Sequence, residues 1–288
     1  MNNRDLIVDN ILRSFMKHFF LVAVFIIFGV FVVGNFQNST TAASNLSTQP
    51  NISIESHNTK NKQPVLIELF TSEDCPTCPP ADRNLTFLDK EQPFAEADII
   101  ALSLHVDYRN ALGSNDEFSS PIFSRRQDIY RQIFRNSSIY TPQMIVDGQT
   151  QFAGTDLAKA QKAIIESAKK EKGKIELSTV TDAKGNITLK AKISDLPKHE
   201  VSTVFLAVAE DNLASNRSEN PAAKRVYTSV VRELKSLGFL TAEQKSFEAE
   251  TFLQFQPNWK MENLKFVVFV QENGNRKVFG IGKLILPK

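Results

Sequence analysis

The stretch SEDCPTCPPAD, Ser72 to Asp82, contains the only two cysteines of the chain, with Pro76 between them and Pro79 and Pro80 directly after. A Cys-x-x-Cys pair can close a small disulfide ring, reopen it by thiol attack, or hold a soft metal ion. At the start of a helix the first sulfur meets backbone N–H groups without partners and the positive end of the dipole, and both favour the thiolate. Cys75 is then the attacking thiol and Cys78, one turn further in, the resolving thiol. Glu73 and Asp74 set negative charge beside Cys75 and Pro76 removes one donor, so the thiol is activated without extreme acidity, and Thr77 offers a hydroxyl in return. Pro76 suits a first helical turn, whereas Pro79 and Pro80 push the residue before each away from helical geometry. The prediction is a tight turn at the cysteines and a regular helix from near Pro80. Such stiffness lowers the entropy lost on ring closure and favours the oxidised form. Redox exchange, metal capture and an inert staple all stay open on these residues alone. For metal capture, His105 is the histidine able to approach the pair, and two thiolates with one imidazole would suit copper(I). Zinc lacks a fourth ligand. The simpler reading of His105 is a strand-end residue bonded to backbone, with Asp107 or Tyr108 beside it.

Several elements must position this pair. PVLIELFTS reads as a strand buried on both faces that leads into the cysteines. ADRNLTFLDKE then places Ala81, Leu85 and Leu88 on one helical face, and ADIIALSLHVD is a second buried strand. SSPIFSRRQDIYRQIFRNSS starts a helix with a serine cap and Pro121, with Ile122, Ile129 and Ile133 at helical spacing. YTPQMIVDGQTQFAG gives two short strands joined by Asp147-Gly148, and TDLAKAQKAIIESAKKEK a helix with Leu157, Ala160, Ile164 and Ala168 along one stripe, capped by Thr155 or Asp156.

The order strand, helix, strand, helix, hairpin, helix, with Cys-x-x-Cys after the first strand, resembles the thioredoxin fold. The resemblance implies a cis Thr141-Pro142 bond lying against the disulfide, which adds Thr141 and Pro142 to Cys75 and Cys78 as catalytic-site residues. More narrowly, VLIELFTSEDCPTCPPAD, HVDYRNALG, FSSPIFSRRQ and YTPQMIVDG, and later SENPAAKRVYTSVVREL and FVQENGNRKVFG, resemble the DUF1223 family of secreted thioredoxin-like proteins. Arg109 and Ser114 stand where that family's pattern has tryptophans. The family supplies a fold and no substrate.

Beyond Lys172 the pattern turns to alternation. GKIELSTVTDAKGNITLKAKISDL reads as a hairpin, and VSTVFLAVAED, KSFEAETFLQF, LKFVVFVQEN and RKVFGIGKLIL continue the series, which predicts a β-sandwich. At the other end, Arg4, Arg13 and Lys17 mark the start of the chain and Phe19 to Gly34 is a run without a charged or strongly polar side chain; counted from Phe15 to Phe36 the segment is close to the ~20 residues that cross a bilayer. It reads as a membrane anchor with a cytoplasmic N-terminus or as a cleaved export signal, and either places the rest outside the cytoplasm. The Ser-, Thr- and Asn-rich stretch after it cannot bury enough apolar surface to order.

The expected layout is therefore a cytoplasmic segment over 1–18, an anchor or signal over 19–36, a disordered linker over 37–62, a thioredoxin-like α/β domain over 63–171 and a β-sandwich-like all-β domain over 172–288. A net charge of +2 without a basic block argues against a nucleic-acid partner. Neither G-x-S-x-G, HExxH nor a P-loop occurs, and no cofactor motif is present. The pairs Glu73-Asp74 and Asp116-Glu117 read as solvated charges, and Arg125-Arg126 as the wet face of a helix. The expected function is an exported, membrane-tethered thiol-disulfide oxidoreductase acting on protein thiols or disulfides. The alternative is a non-catalytic binding module or a copper(I) chaperone using Cys75, Cys78 and His105.

Overall fold

A computed structural model describes residues 62–110, 115–215 and 224–286. The expected membrane helix and linker lie outside these. Among the described residues no helix is long and apolar enough to cross a membrane.

The first half follows the predicted order of elements: β1 (Gln63–Thr71), α1 (Pro79–Glu91), β2 (Ala97–His105), α2 (Pro121–Ile133), β3 (Gln143–Val146), β4 (Thr150–Ala153) and α3 (Leu157–Ala168). β1 and β2 pair in parallel, and β3 runs antiparallel to β1. β1 is buried on both faces: Val65, Ile67 and Leu69 face a core shared with Leu85 and Leu88 of α1 and Ile164 of α3, while Leu66 and Phe70 join a core with Phe123 and Tyr130 of α2. Local chemistry sets the ends. Ser120 caps α2 by accepting from Ile122 N, Asp156 caps α3 by accepting from Lys159 N, and Asp147 and Gly148 both take positive φ in the β3–β4 turn.

The predicted faces of α2 and α3 need correction. Ile122, Ile129 and Ile133 are exposed, as is Leu157, and α2 instead buries Phe123, Arg126, Gln127 and Tyr130. The reason is an ion pair. Arg126 Nη2 donates to Glu68 Oε2 of β1 at 3.0 Å, and the same guanidinium bonds Tyr130 and Gln271, so the face carrying Arg126 turns inward rather than the isoleucine stripe. Arg126 is not a solvated charge.

The second half supplies β5 (Lys174–Thr181), β6 (Ile187–Ser194), β7 (Ser202–Glu210), β8 (Leu213–Ala214), β9 (Val226–Tyr227), β10 (Val230–Leu240), β11 (Phe247–Phe252), β12 (Leu264–Glu272) and β13 (Val278–Ile285). The expected fold class, an α/β thioredoxin-like domain behind a membrane helix with a separate β-sandwich after it, is overturned here. One mixed sheet of eight strands runs β13-β12-β7-β10-β2-β1-β3-β4 through both halves, and strand outweighs helix among the described residues, which hold three α-helices. The join is at β2 and β10, where Ser103 N donates to Ser229 O at 2.8 Å and Val230 pairs with Ser103. A second sheet, β11-β6-β5, packs Ile175, Leu177 and Ile193 against Val204, Phe266 and Val268 of the large sheet. The opposite face of the same strands, Ala207, Val267 and Phe269, packs with Phe70 and Phe123. All nine positions of β12 are buried, which marks a strand covered on both sides rather than the half-wet strand of a free sandwich.

Candidate functional site

β1 ends at Thr71 and the chain turns twice before α1. Cys75 N donates to Ser72 O and Cys78 N to Cys75 O, both at 3.2 Å, so two consecutive tight turns carry the cysteines. Cys78 is the N-cap of α1 with φ −77° and ψ −33°, helical values that the following proline does not prevent, and its carbonyl accepts from Ala81 N at 2.8 Å and Asp82 N at 3.0 Å. Cys75 and Cys78 are joined in a disulfide with Cα atoms 5.3 Å apart, and both are buried at 1% and 0% exposure, while Pro76 and Thr77 between them are exposed.

The expected bath of free N–H groups is thin. α1 opens with Pro79 and Pro80, which have no N–H, and Pro76 has none either, so the dipole end that normally stabilises a thiolate offers few donors here. What remains is Thr77, whose Oγ1 lies 3.5 Å from the Cys75 sulfur, as its hydroxyl suggested.

Behind the ring stands an acidic cluster. Thr71, in register with His105 on β2, donates its hydroxyl to Asp82 Oδ1 at 2.8 Å. Asp82 sits in the first turn of α1, four residues after Cys78; the residue is half-buried, but its Oδ2 is sealed from solvent. Burial pushes its pKa up to about 6, against the pull of His105, the Thr71 hydroxyl and Arg225, with Asp116 adding to the rise. His105 is fully buried, and its Nδ1 lies 2.8 Å from Asp116 Oδ2. Burial alone would raise Asp116, but the hydrogen bond and charge of His105 and the N–H groups of Glu73 and Phe118 outweigh it and hold Asp116 below the ordinary carboxylate range. The rings of Phe118 and Tyr227 meet His105 edge-on at 5.4 and 4.9 Å. Burial, with the charges of Asp82, Glu73 and Asp116, pushes the Tyr227 hydroxyl up against the pull of Arg225. Arg225 in turn donates to Glu73 O at 2.7 Å.

Of the predicted site residues, Cys75 and Cys78 are together. Pro142, whose peptide bond with Thr141 is cis, precedes Gln143, which pairs with Phe70, so it stands at the level of Thr71 at the end of β1. It is tied to the start of α1 through Gly154, whose N–H donates to Pro142 O at 3.1 Å and where a Cβ would lie 2.9 Å from Ala81 Cβ. Thr141 accepts from Arg109 Nε at 3.1 Å, so Arg109 holds the residue before the proline. His105 is bonded to Asp116, not to backbone, Asp107 or Tyr108. Among the described residues no group of three His, Cys, Asp or Glu side chains is placed to hold a metal ion.

Sequence reasoning missed Asp82, Asp116, Tyr227 and Arg225. Asp82 was legible from its i+4 spacing after Cys78. Asp116 and Glu73 are buried, contrary to the solvated reading, because Asp116 Oδ2 also accepts from Glu73 N at 2.8 Å. Tyr227 and Arg225 arrive from the second half through the β2–β10 join, and no local pattern announces them.

A family profile described as a protein of unknown function (DUF1223) matches residues 66–271, from β1 to the end of β12. The chain belongs to the DUF1223 family. The matched span includes the disulfide, the acid–histidine cluster and the strands that join the halves. This DUF1223 chain is similar in fold to protein AGR_C_4864 from Agrobacterium tumefaciens, with a TM-score of 0.58 and 22% identity over 77% of this chain and 93% of that one. It is also similar in fold to HBP35 of Porphyromonas gingivalis, with a TM-score of 0.56 and 15% identity over 78% of this chain and 76% of that one. At these identities the likeness concerns fold alone. No curated protein matches the chain.

Proposed function

We propose that this DUF1223 protein exchanges thiols and disulfides with protein substrates at Cys75 and Cys78, outside the cytoplasm. The observation that carries the reading is the closed Cys75–Cys78 ring, with exposed Pro76 and Thr77 between its cysteines and Asp82 one turn further along α1. An exposed hydroxyl beside the first sulfur and a titratable acid one turn behind the second are what exchange needs and a plain staple does not. The apolar run Phe19 to Gly34 after Arg4, Arg13 and Lys17 supports export.

In the reduced protein, Cys75 as thiolate attacks one sulfur of a substrate disulfide. That bond breaks, the other substrate sulfur leaves as thiolate, and a mixed disulfide forms. Cys78 as thiolate then attacks Cys75 Sγ, closes the ring and releases the second substrate thiol. Two electrons pass from the dithiol to the substrate, and a dithiol protein resets the pair by the reverse sequence. The surroundings favour a reducing poise. Three prolines withdraw N–H donors and Glu73, Asp74 and Asp82 are acidic, so the reduced form lacks the thiolate stabilisation that makes a strong oxidant.

Near-complete burial of both sulfurs favours one other reading, a disulfide that staples the β1–α1 turn. Equilibrating the folded protein against a glutathione series separates the two. Exchange predicts reversible titration of the pair without loss of fold, at a potential below about −200 mV, on the reducing side of the strong oxidants. It also predicts that Cys78→Ser accumulates mixed disulfides on Cys75. A pair that reduces only when the protein unfolds would establish the staple.

A further inference from the structure

Beyond Val230 the large sheet splits. Among the described residues β10 is in register with β2 only where Val230 meets Ser103, and from Val231 onward it pairs with β7 alone. The end of β2 turns to another partner: Ser120 N donates to His105 O at 3.0 Å, and Val106 bridges to Ser120 instead of to β10. The edges part into a cleft of about 440 Å³, walled by residues 117–120, by Val231 and Arg232, and by the loop that carries Gln256, Asn258 and Trp259. Because β10 runs parallel to β2, the cleft opens at the C-terminal ends of β1 and β2, the end of the sheet that carries the disulfide turn. Its 117–120 wall continues from Asp116, which accepts from Glu73 N at 2.8 Å.

Arg232 sets the chemistry of the cleft. It is the residue left over by the register shift between Val231 and Glu233, and it lines the opening. Its guanidinium lies 5.7 Å from the ring of Phe118 and 5.6 Å from that of Trp259, held between two aromatic faces. The side chain is only 12% exposed, and Glu210 Oε2 at 3.6 Å balances its charge from beyond hydrogen-bond reach. That oxygen has no hydrogen-bond partner among the described residues, and the N–H donors of Arg232 are likewise unspent there. A guanidinium whose charge is already met calls for neutral acceptors more than for an anion. Gln256 and Asn258 add exposed amides that both donate and accept, and Phe118, Phe123 and Trp259 add apolar wall. Carbonyl groups spaced by apolar side chains, offered to an open strand edge, are what an extended polypeptide presents.

We propose that this cleft holds an extended, unfolded segment of the protein substrate, laid along the open edge of β10 with its carbonyl groups taken by Arg232. That the occupant is a substrate rests on the exchange reading above. Main-chain groups supply the affinity, so the cleft accepts many sequences, and a folded protein, whose main chain is already paired, is turned away. The register shifts on either side of Glu233 to Ser236 keep the regular part of the edge short, which admits a brief segment and discourages pairing with long strands. The partner class is therefore a disulfide-bearing chain that has not folded or has lost its fold.

Trp259 is the single tryptophan of the chain and stands on the cleft, so its fluorescence reports occupancy. The probe is pancreatic ribonuclease, reduced and alkylated with iodoacetamide, an unfolded chain without thiols or tryptophan whose binding does not depend on exchange at Cys75 and Cys78. Titrated into the full-length protein, it is expected to change Trp259 emission with saturation, while native ribonuclease leaves the emission as it was. Arg232→Gln weakens that binding on the order of 10-fold. Gln256→Ala combined with Asn258→Ala, both exposed positions, weakens it by a similar factor and decides the matter if the Arg232 variant does not fold. With dithiothreitol as reductant, the ratio of kcat/KM for insulin disulfides to that for glutathione disulfide falls on the order of 10-fold in the same variants. No saturable change in emission, an equal change with native ribonuclease, or undiminished binding in the variants overturns the cleft and leaves exchange standing. Weakened binding with an unaltered ratio overturns its part in choosing substrates. If the parent protein reduces neither disulfide, the exchange reading itself fails, and the fluorescence titration still decides the cleft.

Discussion

A carboxyl with one oxygen bonded to Thr71 and the other sealed and unpaired is a residue the fold keeps at a cost to its stability. The sign of that cost follows from linkage. The folded pKa of Asp82 is raised to about 6 from 3.8, so the native state holds the proton through a pH range in which the unfolded state has released it. Its contribution to stability is fully present below about pH 4, declines as pH rises through 4 to 6, and is gone above that. A shift of this size corresponds to about 2 to 3 kcal/mol. Asn does not ionise. Asp82→Asn is therefore expected to be more stable than the parent protein by ~2 kcal/mol at pH 7, with the gain fading to nothing near pH 4. Asp116 moves in the other direction, depressed and losing its contribution as pH falls, but it is common to both proteins and cancels in the comparison. Urea titrations of both proteins at several pH values measure the difference. Equal midpoints at pH 7 would mean that Asp82 is not the strained acid described here.

At the scale of elements, the β3–β4 hairpin ties the two halves of the chain. Asp147 receives the N–H of Leu66 at 2.8 Å on one oxygen and the ammonium of Lys172 at 2.7 Å on the other, and its carbonyl accepts from Val278 N at 3.0 Å. Gly148 has φ +68°, and a Cβ there would stand 1.9 Å from the backbone carbonyl oxygen of Arg276. Gly148→Ala must both adopt a left-handed conformation and push two backbones apart, and is expected to destabilise by more than about 3 kcal/mol. Gly185→Ala provides the control. Gly185 has φ +84° with nothing within 4 Å, so it should lose only ~1–2 kcal/mol. Thermal or urea midpoints of the two variants check the difference, and equal losses would remove the clash as its cause. The Asp147-Gly148 turn was legible in the sequence because a two-residue hairpin needs positive φ. So were the caps of α2 and α3 and the buried face of α1, each a matter of residues two to four apart. The inward face of α2 was not legible, because the pattern of isoleucines competes with a single long-range pair, Glu68 with Arg126, that no spacing reveals. The cysteines and Pro142 could be named in advance, whereas the pairing of His105 with Asp116 depends on where the loop before α2 folds back over β2.

The misread fold class of the whole molecule has the same origin at larger scale. VFLAVA in β7 and FVVFV in β12 fall within the series predicted to alternate, yet both are continuous apolar runs, and nearly every position in them is buried. Continuous runs mean two covered faces, and the second cover is the first half of the chain. Leu66, Phe70, Ile100, Leu102 and Leu104 share one core with Ala207, Ala209, Val267 and Phe269, and the Arg126 guanidinium lies 5.3 Å from the rings of both Phe205 and Phe269. A fragment ending at residue 171 would lose that cover. Exposing even half of five such side chains costs on the order of 5 kcal/mol, as much as the entire stability of many domains. It would also strip Arg126 of Gln271 and the site of Tyr227 and Arg225. Residues 62–171 produced alone are therefore expected to show no cooperative thermal transition, while co-production with 172–288 restores it along with the Cys75–Cys78 disulfide titration. A fragment that melts cooperatively and titrates its cysteines by itself would show that the join at Ser103 and Val230 is not needed for folding, and would confine the redox chemistry to the first seven elements.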